Sequence, residues 1–513
     1  MATTDTPRKN VLFIVIDQLR ADCVHGALAD HVNLPNLRAL MAESVVFKNN
    51  YSVTNPCGPS RVSLLTARYA MNHRSIRNGT PLAHDTPNLA TEAAKAGYDP
   101  MLFGYTDTSQ DPRAYPEGHP ALTTYEHPMN GFREVCEMRL EESHGWRADL
   151  RAKGYDIEGE DLFDIFRVDT PDGQPPRPND PARYKAEDSD TAYLTNQFLA
   201  GMKDKADQPW FAHLTWIRPH PPFNAPAPYN DMYDPASLPL PERLTQEEEE
   251  NFHPYMKPLH NYATIASTVE GFPDLDGSDD NVQTLRAVYL GLATEVDHHL
   301  GRVVSWLKDS RQYEDTLLVV TADHGELLGD RHAWGKLAPF KGAFHTPLII
   351  RAPGTKAREI SHFTESSDIT PTILDWIGTD IPASMDGRSL VPWLQGEAPE
   401  WRDFAYSEFD FGNPIDPTPW QKKYGLNQSN ANCAILRENR FTLVHFADGF
   451  EPMLFDSDGK GELENVAAEP EFSGEMLRLT QKLLSHRMKN TDHLLSTIMI
   501  TKDGPVNTTR PRG

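Results

Sequence analysis

Residues 11–16 are six apolar side chains in a row, Val-Leu-Phe-Ile-Val-Ile, and the run ends at Asp17. A strand with one wet face alternates apolar and polar residues, so an unbroken β-branched run describes a strand covered on both faces. Strands of that kind belong to parallel sheets whose crossover helices lie above and below. Residues 45–47, 98–105, 210–216, 316–321 and 347–350 also read as extended. Helical spans separate them: 36–43 opened by Pro35, a segment after Pro59 running to Arg68, 88–96 stopped by Gly97, and 190–205. Residues 281–309 form a longer amphipathic helix, with Val282, Leu285, Tyr289, Leu292, Val296, Leu300 and Val303 on one stripe. This alternation predicts an α/β fold: a mostly parallel central sheet with helices on both faces.

The rhythm changes near residue 390. Short runs at 405–409, 433–437, 440–445 and 453–455, separated by turns, predict a small antiparallel sheet followed by a helix over 472–489. The expected division is a catalytic domain over 1–390 and an α+β subdomain over 391–513. Residues 494–513 have little core of their own and read as an arm that docks on another subunit, giving a homodimer or homotetramer. Many of the 42 prolines lie in 169–241, which points to irregular excursions from the main fold.

A net charge of −25 repels a phosphate backbone and argues against nucleic acid as a partner. A small anion remains compatible if a few cations concentrate in one pocket. Four cysteines (Cys23, Cys57, Cys136, Cys433) in 513 residues make no disulfide framework. No stretch reaches the ~20 apolar residues of a membrane helix, and 11–16 is too short for a signal core. The expectation is a cytoplasmic protein with no membrane partner.

In open parallel sheets, functional residues collect beyond the carboxyl ends of the strands. Asp17-Gln18, Arg218-Pro-His220 and Thr321-Ala-Asp323-His324 stand at such points. Asp17, Asp323 and His324 offer two carboxylates and an imidazole, a set that suits Mn²⁺ or Zn²⁺ better than Ca²⁺. Each alone reads as readily as a helix cap or a core histidine. In Asn55-Pro56-Cys57-Gly58-Pro59-Ser60-Arg61, Cys57 precedes a helix whose first turn holds Pro59, and the free N–H groups there favour an anion. By itself the segment allows a thiolate nucleophile, a metal ligand or an incidental cysteine. His298-His299 points in two directions from one helix and is set aside, and Glu247 to Glu250 reads as a solvated helix start.

Cys57-Gly-Pro-Ser-Arg61 matches the C-x-P-x-R signature of sulfatases, in which an activating enzyme oxidises the cysteine to formylglycine. With the start at 11–18 and Thr321-Ala-Asp-His-Gly-Glu followed by Trp334-Gly-Lys336, the chain resembles the sulfatase branch of the alkaline phosphatase superfamily over about residues 10–395. Within it, Met71-Asn-His-Arg-Ser-Ile-Arg-Asn78, Gly104-Tyr105-Thr, Gln18 and His324 resemble phosphonate monoester hydrolases and related arylsulfatases. The resemblance implies an alkaline-phosphatase-like fold and one divalent metal, Mn²⁺ foremost, with Zn²⁺ or Ca²⁺ as alternatives. It implies Asp17, Asp323, His324 and residue 57 as ligands, with Gln18 as a further one. A formylglycine-generating enzyme becomes a maturation partner, and a small anionic ester becomes the substrate.

The implied chemistry is attack by the hydrated aldehyde at 57 on sulfur or phosphorus, then expulsion of the product as the second hydroxyl loses its proton. Arg61 would orient the nucleophile. His220 and Lys336 would contact the transferring group and the leaving oxygen, as hydrogen-bond donors or general acids. Asn78 and Tyr105 match substrate-pocket positions. Asp107 stands where that subgroup has Thr. A charged Asp107 ~5 Å from substrate would cost about 3 kcal/mol per substrate charge, which predicts poor activity on dianionic phosphate monoesters. Two other readings are weighed: a two-metal phosphatase or phosphomutase, which would want a Ser or Thr nucleophile, and a non-catalytic metal-binding protein with unmodified Cys57.

Overall fold

The computed structural model describes residues 9–507 apart from 142, 158–161, 171–172, 206–207 and 493–494. Its strands in chain order are β1 (Asn10–Ile16), β2 (Val45–Tyr51), β3 (Thr54–Asn55), β4 (Pro100–Gly104), β5 (Arg133–Glu137), β6 (Phe211–Trp216) and β7 (Thr316–Thr321). There follow β8 (His345–Arg351), β9 (Arg358–Glu365), β10 (Ala405–Asp410), β11 (Asn432–Arg437), β12 (Phe441–Phe446), β13 (Met453–Asp456), β14 (Ile498–Thr501) and β15 (Gly504–Asn507). Eight of these pair in the order β5-β4-β6-β1-β7-β8-β2-β9. Every neighbouring pair in that sheet is parallel except the two made by β8.

The register explains why β1 is apolar throughout. Leu12, Ile14 and Ile16 pack on one face with Val282, Leu285, Leu292 and Leu300 of the Asp279–Asp309 helix, whose expected stripe is buried as predicted. Val11, Phe13 and Val15 point to the other face, against Val62 and Leu65 of the Cys57–Thr66 helix and Ile369 and Ile373 of the Ile369–Trp376 helix. With both faces covered, a polar residue in the middle of β1 would be buried without a partner.

The second sheet has the order β13-β12-β11-β10-β3 and is antiparallel except where β3 joins β10. Thr54–Asn55 lies immediately before the Cys57 helix, so the small sheet takes its edge strand from the middle of the expected catalytic domain. Its core mixes Tyr51, Tyr255 and Phe340 with Phe409, Trp420 and Val444. In space the two sheets share a core across the division expected at residue 390. The edge strands β5 and β9, rich in charged and polar residues, were not foreseen because an edge strand needs no continuous apolar run. Among Glu247 to Glu250, Glu249 is not solvated: it is fully buried and pairs with Arg331 at 2.9 Å. Of the expected terminal arm, 495–507 carry an exposed two-stranded hairpin, while Leu494 and 508–513 lie outside the described residues. Among the described residues no helix is long and apolar enough to cross a membrane.

One buried acid on the long helix makes stability depend on pH. Glu295 takes a hydrogen bond from Ser189 Oγ on one oxygen, and its other oxygen has no partner. Burial first, then repulsion from Asp190, pushes its pKa from 4.5 up to about 8. A native carboxyl with a raised pKa holds its proton more tightly than the unfolded chain does. Its contribution to stability is therefore complete below pH 4.5 and is lost as pH rises through about 8. The expected outcome is that Glu295→Gln loses less stability than the parent between pH 5 and 9, by a few kcal/mol (~1.4 kcal/mol per pKa unit), in denaturant melts.

Candidate active site

β4, β6, β1 and β7 are consecutive in the sheet and parallel, so their carboxyl ends lie at one edge. Tyr105 and Asp107 follow β4, His220 follows β6, Asp17 follows β1, and Asp323 and His324 follow β7. β2 ends at the same edge and leads through β3 into the Cys57–Thr66 helix, with Cys57 as its first residue. Space at Gly58 is tight: a Cβ would lie 2.9 Å from Asn78 Oδ1 and 3.1 Å from the Asp107 carbonyl, so a larger residue would need the Asn78 side chain to shift. Asn78 Oδ1 accepts the Gly58 N–H at 2.9 Å, which fixes the start of the helix.

Asp17, Cys57, Asp323 and His324 are all buried, and one ligand atom from each lies within 4.8 Å of the others. His324 Nδ1 donates to the Gly325 carbonyl at 3.0 Å, leaving the Nε2 lone pair facing the cluster, 3.2 Å from Cys57 Sγ. Asp323 Oδ1 accepts the N–H groups of Gln18 and His324 at 3.1 and 2.9 Å. Arg61 is the positive centre. Its Nη2 meets Asp17 Oδ2 and its Nε meets Asp323 Oδ2, each at 3.0 Å. Thr215 Oγ1 accepts Nη1 at 2.7 Å, and the guanidinium lies over the Tyr105 ring at 4.1 Å.

The charges are uneven. Burial raises the Asp17 carboxyl, but His220, Arg61, His324 and Lys336 together overcome it and hold Asp17 below the usual carboxylate range. Burial, reinforced by Asp17, pushes Asp323 up. Burial pushes the Cys57 thiol up as well, with Asp17 adding to the effect, which disfavours a thiolate there in the absence of a cation. Asp17 Oδ1 is buried without a hydrogen-bond partner and belongs to this cluster. Two carboxylates, one of them with an unsatisfied oxygen, an imidazole nitrogen and the atom at residue 57 fit a divalent cation. A bound cation would also remove the repulsion that raises Asp323. Among the described residues this is the one such group, which leaves the two-metal reading without a second ligand set.

Lys336 Nζ donates to His220 Nε2 at 2.8 Å and to Gln18 Oε1 at 2.6 Å. His220 Nδ1 donates to the Pro221 carbonyl at 2.6 Å. Burial and then Lys336 lower the His220 pKa to about 3, so His220 is a neutral acceptor. Gln18, expected as a further ligand, donates its side-chain N–H to Glu326 and accepts from Lys336 at 2.6 Å on Oε1. Tyr105, expected to contact substrate, donates to Asp17 Oδ2 and accepts from Arg61 Nη2 at 2.9 Å, so it supports the cluster from behind.

Asp107 does point inward, 5% exposed and 4.0 Å from Arg61 Nε. Burial raises its pKa well above the carboxylate range despite Arg61. Burial favours the neutral acid, and a neutral Asp107 would not repel a dianion, which weakens the electrostatic basis for expecting poor phosphate-monoester activity. Thr215, Ser60 (Oγ to the Asp323 carbonyl, 2.6 Å) and Glu326 were not foreseen. Glu326 was legible as part of the Asp-His-Gly-Glu run, but nothing in the pattern told its partner.

A family model described as Sulfatase matches residues 9–379, and one described as N-sulphoglucosamine sulphohydrolase, C-terminal, matches residues 329–489. The structure is similar to the phosphonate monoester hydrolase SpPMH from Silicibacter pomeroyi, with TM-score 0.96, 60% identity, and coverage of 98% of this chain and 100% of that one. It is also similar to the phosphonate monoester hydrolase of Agrobacterium radiobacter, with TM-score 0.92, 38% identity, and coverage of 98% and 100%. The multifunctional alkaline phosphatase superfamily protein PehA of Trinickia caryophylli is 37% identical, over 95% of this chain and 97% of that protein. With the signature at Cys57–Arg61 in place at the carboxyl edge of this sheet, the chain belongs to the sulfatase family of the alkaline phosphatase superfamily, which implies a divalent metal and a formylglycine.

Proposed function

We propose that this chain hydrolyses sulfate monoesters and phosphonate monoesters or phosphodiesters, with a formylglycine made from Cys57 as nucleophile and Mn²⁺ held by Asp17, Asp323, His324 and residue 57. The observation that carries the reading is the buried four-residue cluster with its unsatisfied Asp17 oxygen, locked by Arg61. Two carboxylates and an imidazole favour Mn²⁺ or Zn²⁺ over Ca²⁺. When bound, such a cation supplies positive charge to the transferring group and makes a neighbouring oxygen more acidic.

The chain's own residues do the rest. Arg61 keeps both carboxylates in place and spends its donors on them, on Thr215 and on Tyr105, so it is a positioning residue in the free protein. Lys336 carries the mobile proton. Neutral His220 accepts one of its N–H groups and aims the ammonium at the site, from which it can protonate or hydrogen-bond the leaving oxygen. Arg61 and Lys336 set two cations against the carboxylates, and a divalent ion would leave the site net positive, which suits a monoanionic ester. Exposed Leu495, Met499 and Ile500 on the terminal hairpin support its role as an arm between copies in a dimer or tetramer. The activating enzyme that makes formylglycine and a cytoplasmic setting remain part of this reading.

Active protein is expected to be about 18 Da lighter than the encoded chain, the change from cysteine to aldehyde, with Cys57→Ser losing at least ~10³-fold in kcat. Intact mass beside steady-state kinetics checks this, and full turnover with a thiol at 57 would defeat the proposal. Lys336→Ala should lower kcat/KM by about 10²–10⁴-fold for poor leaving groups and much less for 4-nitrophenol, steepening a leaving-group plot. An unchanged slope would remove Lys336 from that role. Asp107→Asn should shift the ratio of phosphate-monoester to sulfate-monoester kcat/KM by less than about threefold, because a neutral acid and an amide carry the same charge. A large gain in phosphate-monoester activity would show a charged Asp107.

A further inference from the structure

Beside the nucleophile lies a cavity of about 210 Å³ that the chemistry above leaves unused. Pro56, Asn78 and Lys336 line it on the side of the nucleophile. Asn78 is the residue that holds Gly58, and Lys336 carries the mobile proton, so the cavity borders the reacting centre. Its walls come from elements far apart in sequence: Phe409 and Phe411 at the end of β10, Trp420 on the Pro419–Tyr424 helix, Tyr262 on the Met256–Tyr262 helix, and Leu337. The rings form a continuous wall. Trp420 lies 5.7 Å from both Phe411 and Tyr262, and Phe409 lies 6.0 Å from Phe411.

We propose that this cavity receives a neutral, single-ring aryl group, the alcohol part of the ester that departs. The inference rests on the function proposed above. Size supports it: an apolar cavity of ~150 Å³ holds benzene, so about 210 Å³ suits one substituted ring and leaves little room for two. Ring walls favour aryl groups through offset and edge-on contacts.

Charge decides against a quaternary ammonium group, which aromatic walls can also bind. The acid in the lining, Asp410, pairs with Arg74 at 3.5 Å and also feels Arg487 and Arg77. Arg77 itself lines the cavity, with Nη1 on the Gly412 carbonyl at 2.9 Å. With its carboxylate offset by arginines, the pocket offers a cation no net attraction. At turnover the bond from the ester oxygen to sulfur or phosphorus breaks, the oxygen takes its proton from Lys336, and a phenol is released.

Two variants reshape the cavity: Leu337→Trp fills it, and Tyr262→Ala, at a residue 38% exposed, opens it with little risk to folding. The first measurement is ¹⁹F NMR of 4-fluorophenol with the metal-loaded protein. The phenol should bind the parent, Leu337→Trp should weaken it about tenfold or more, and tetramethylammonium should not displace it. The second is the ratio of kcat/KM for phenyl and trifluoroethyl sulfates in the parent and each variant, which cancels intrinsic reactivity. That ratio should fall about tenfold in Leu337→Trp and several-fold, mainly through KM, in Tyr262→Ala. Ratios within about twofold of the parent in both variants would overturn the inference, as would displacement of the phenol by tetramethylammonium. If the parent binds 4-fluorophenol but hydrolyses neither ester, the proposed function fails and the cavity assignment stands.

Discussion

Arg61 reaches Asp17 and Asp323 at 3.0 Å each from a position with almost no solvent access. Two carboxylates brought to one buried edge repel each other and resist losing water. The guanidinium satisfies both at once because its fork presents separate N–H groups in one plane. Removing such a partner from a buried network costs about 3–5 kcal/mol, since charges are left uncompensated. The signature's spacing follows from this. Arg61 is one helical turn after Cys57, so the helix that presents residue 57 also presents the group that holds two of its proposed co-ligands. Tyr105 beneath the guanidinium and Thr215 beside it leave Arg61 no other place to go.

That cluster exists because the sheet delivers its members to one place. Parallel strands end at the same edge, and β4, β6, β1 and β7 are neighbours. An antiparallel arrangement of the same sequences would have put Asp17 and Asp323 at opposite ends. The small sheet takes part as well: β3, locked to β10 just before Cys57, ties the nucleophile's helix to the C-terminal subdomain. The same subdomain carries the aromatic wall beside Lys336. The cluster thus stands at the edge of the large sheet, and the small sheet braces the helix that carries Cys57.

Electrostatics separates residues that look alike on paper. Asp17, Asp107 and Asp323 are three aspartates around one arginine, yet Asp17 is held low while Asp107 and Asp323 are pushed up. Asp17 has two cations, Arg61 and Lys336, and two imidazoles around it to offset its burial, whereas Asp107 has burial and Glu126 working against Arg61. Reading each as a unit negative charge therefore overstated the field that a substrate meets. Gln18 shows the geometric counterpart: its amide links Glu326 to Lys336 beside the cluster, a connection no local pattern records.

Much of this protein was legible in the sequence. Unbroken apolar runs fixed the buried strands and the parallel architecture, because only strands covered on both faces tolerate them. The long helix followed from its stripe. Asp17, Cys57, Arg61, Asp323 and His324 announced themselves by position and motif, since strand ends and helix starts are where a parallel sheet exposes chemistry. What the sequence left open needed distances. The edge strands were hidden because pairing on one side leaves a polar composition intact. The roles of Gln18, Tyr105, Thr215 and Glu326 depended on which atoms lie within 3 Å, the protonation of Asp107 on its depth, and the aromatic cavity on three segments meeting beside Lys336. Local pattern records which way a side chain faces along its own element. Partner, burial and field arise only when distant elements pack, and tertiary structure alone decides those.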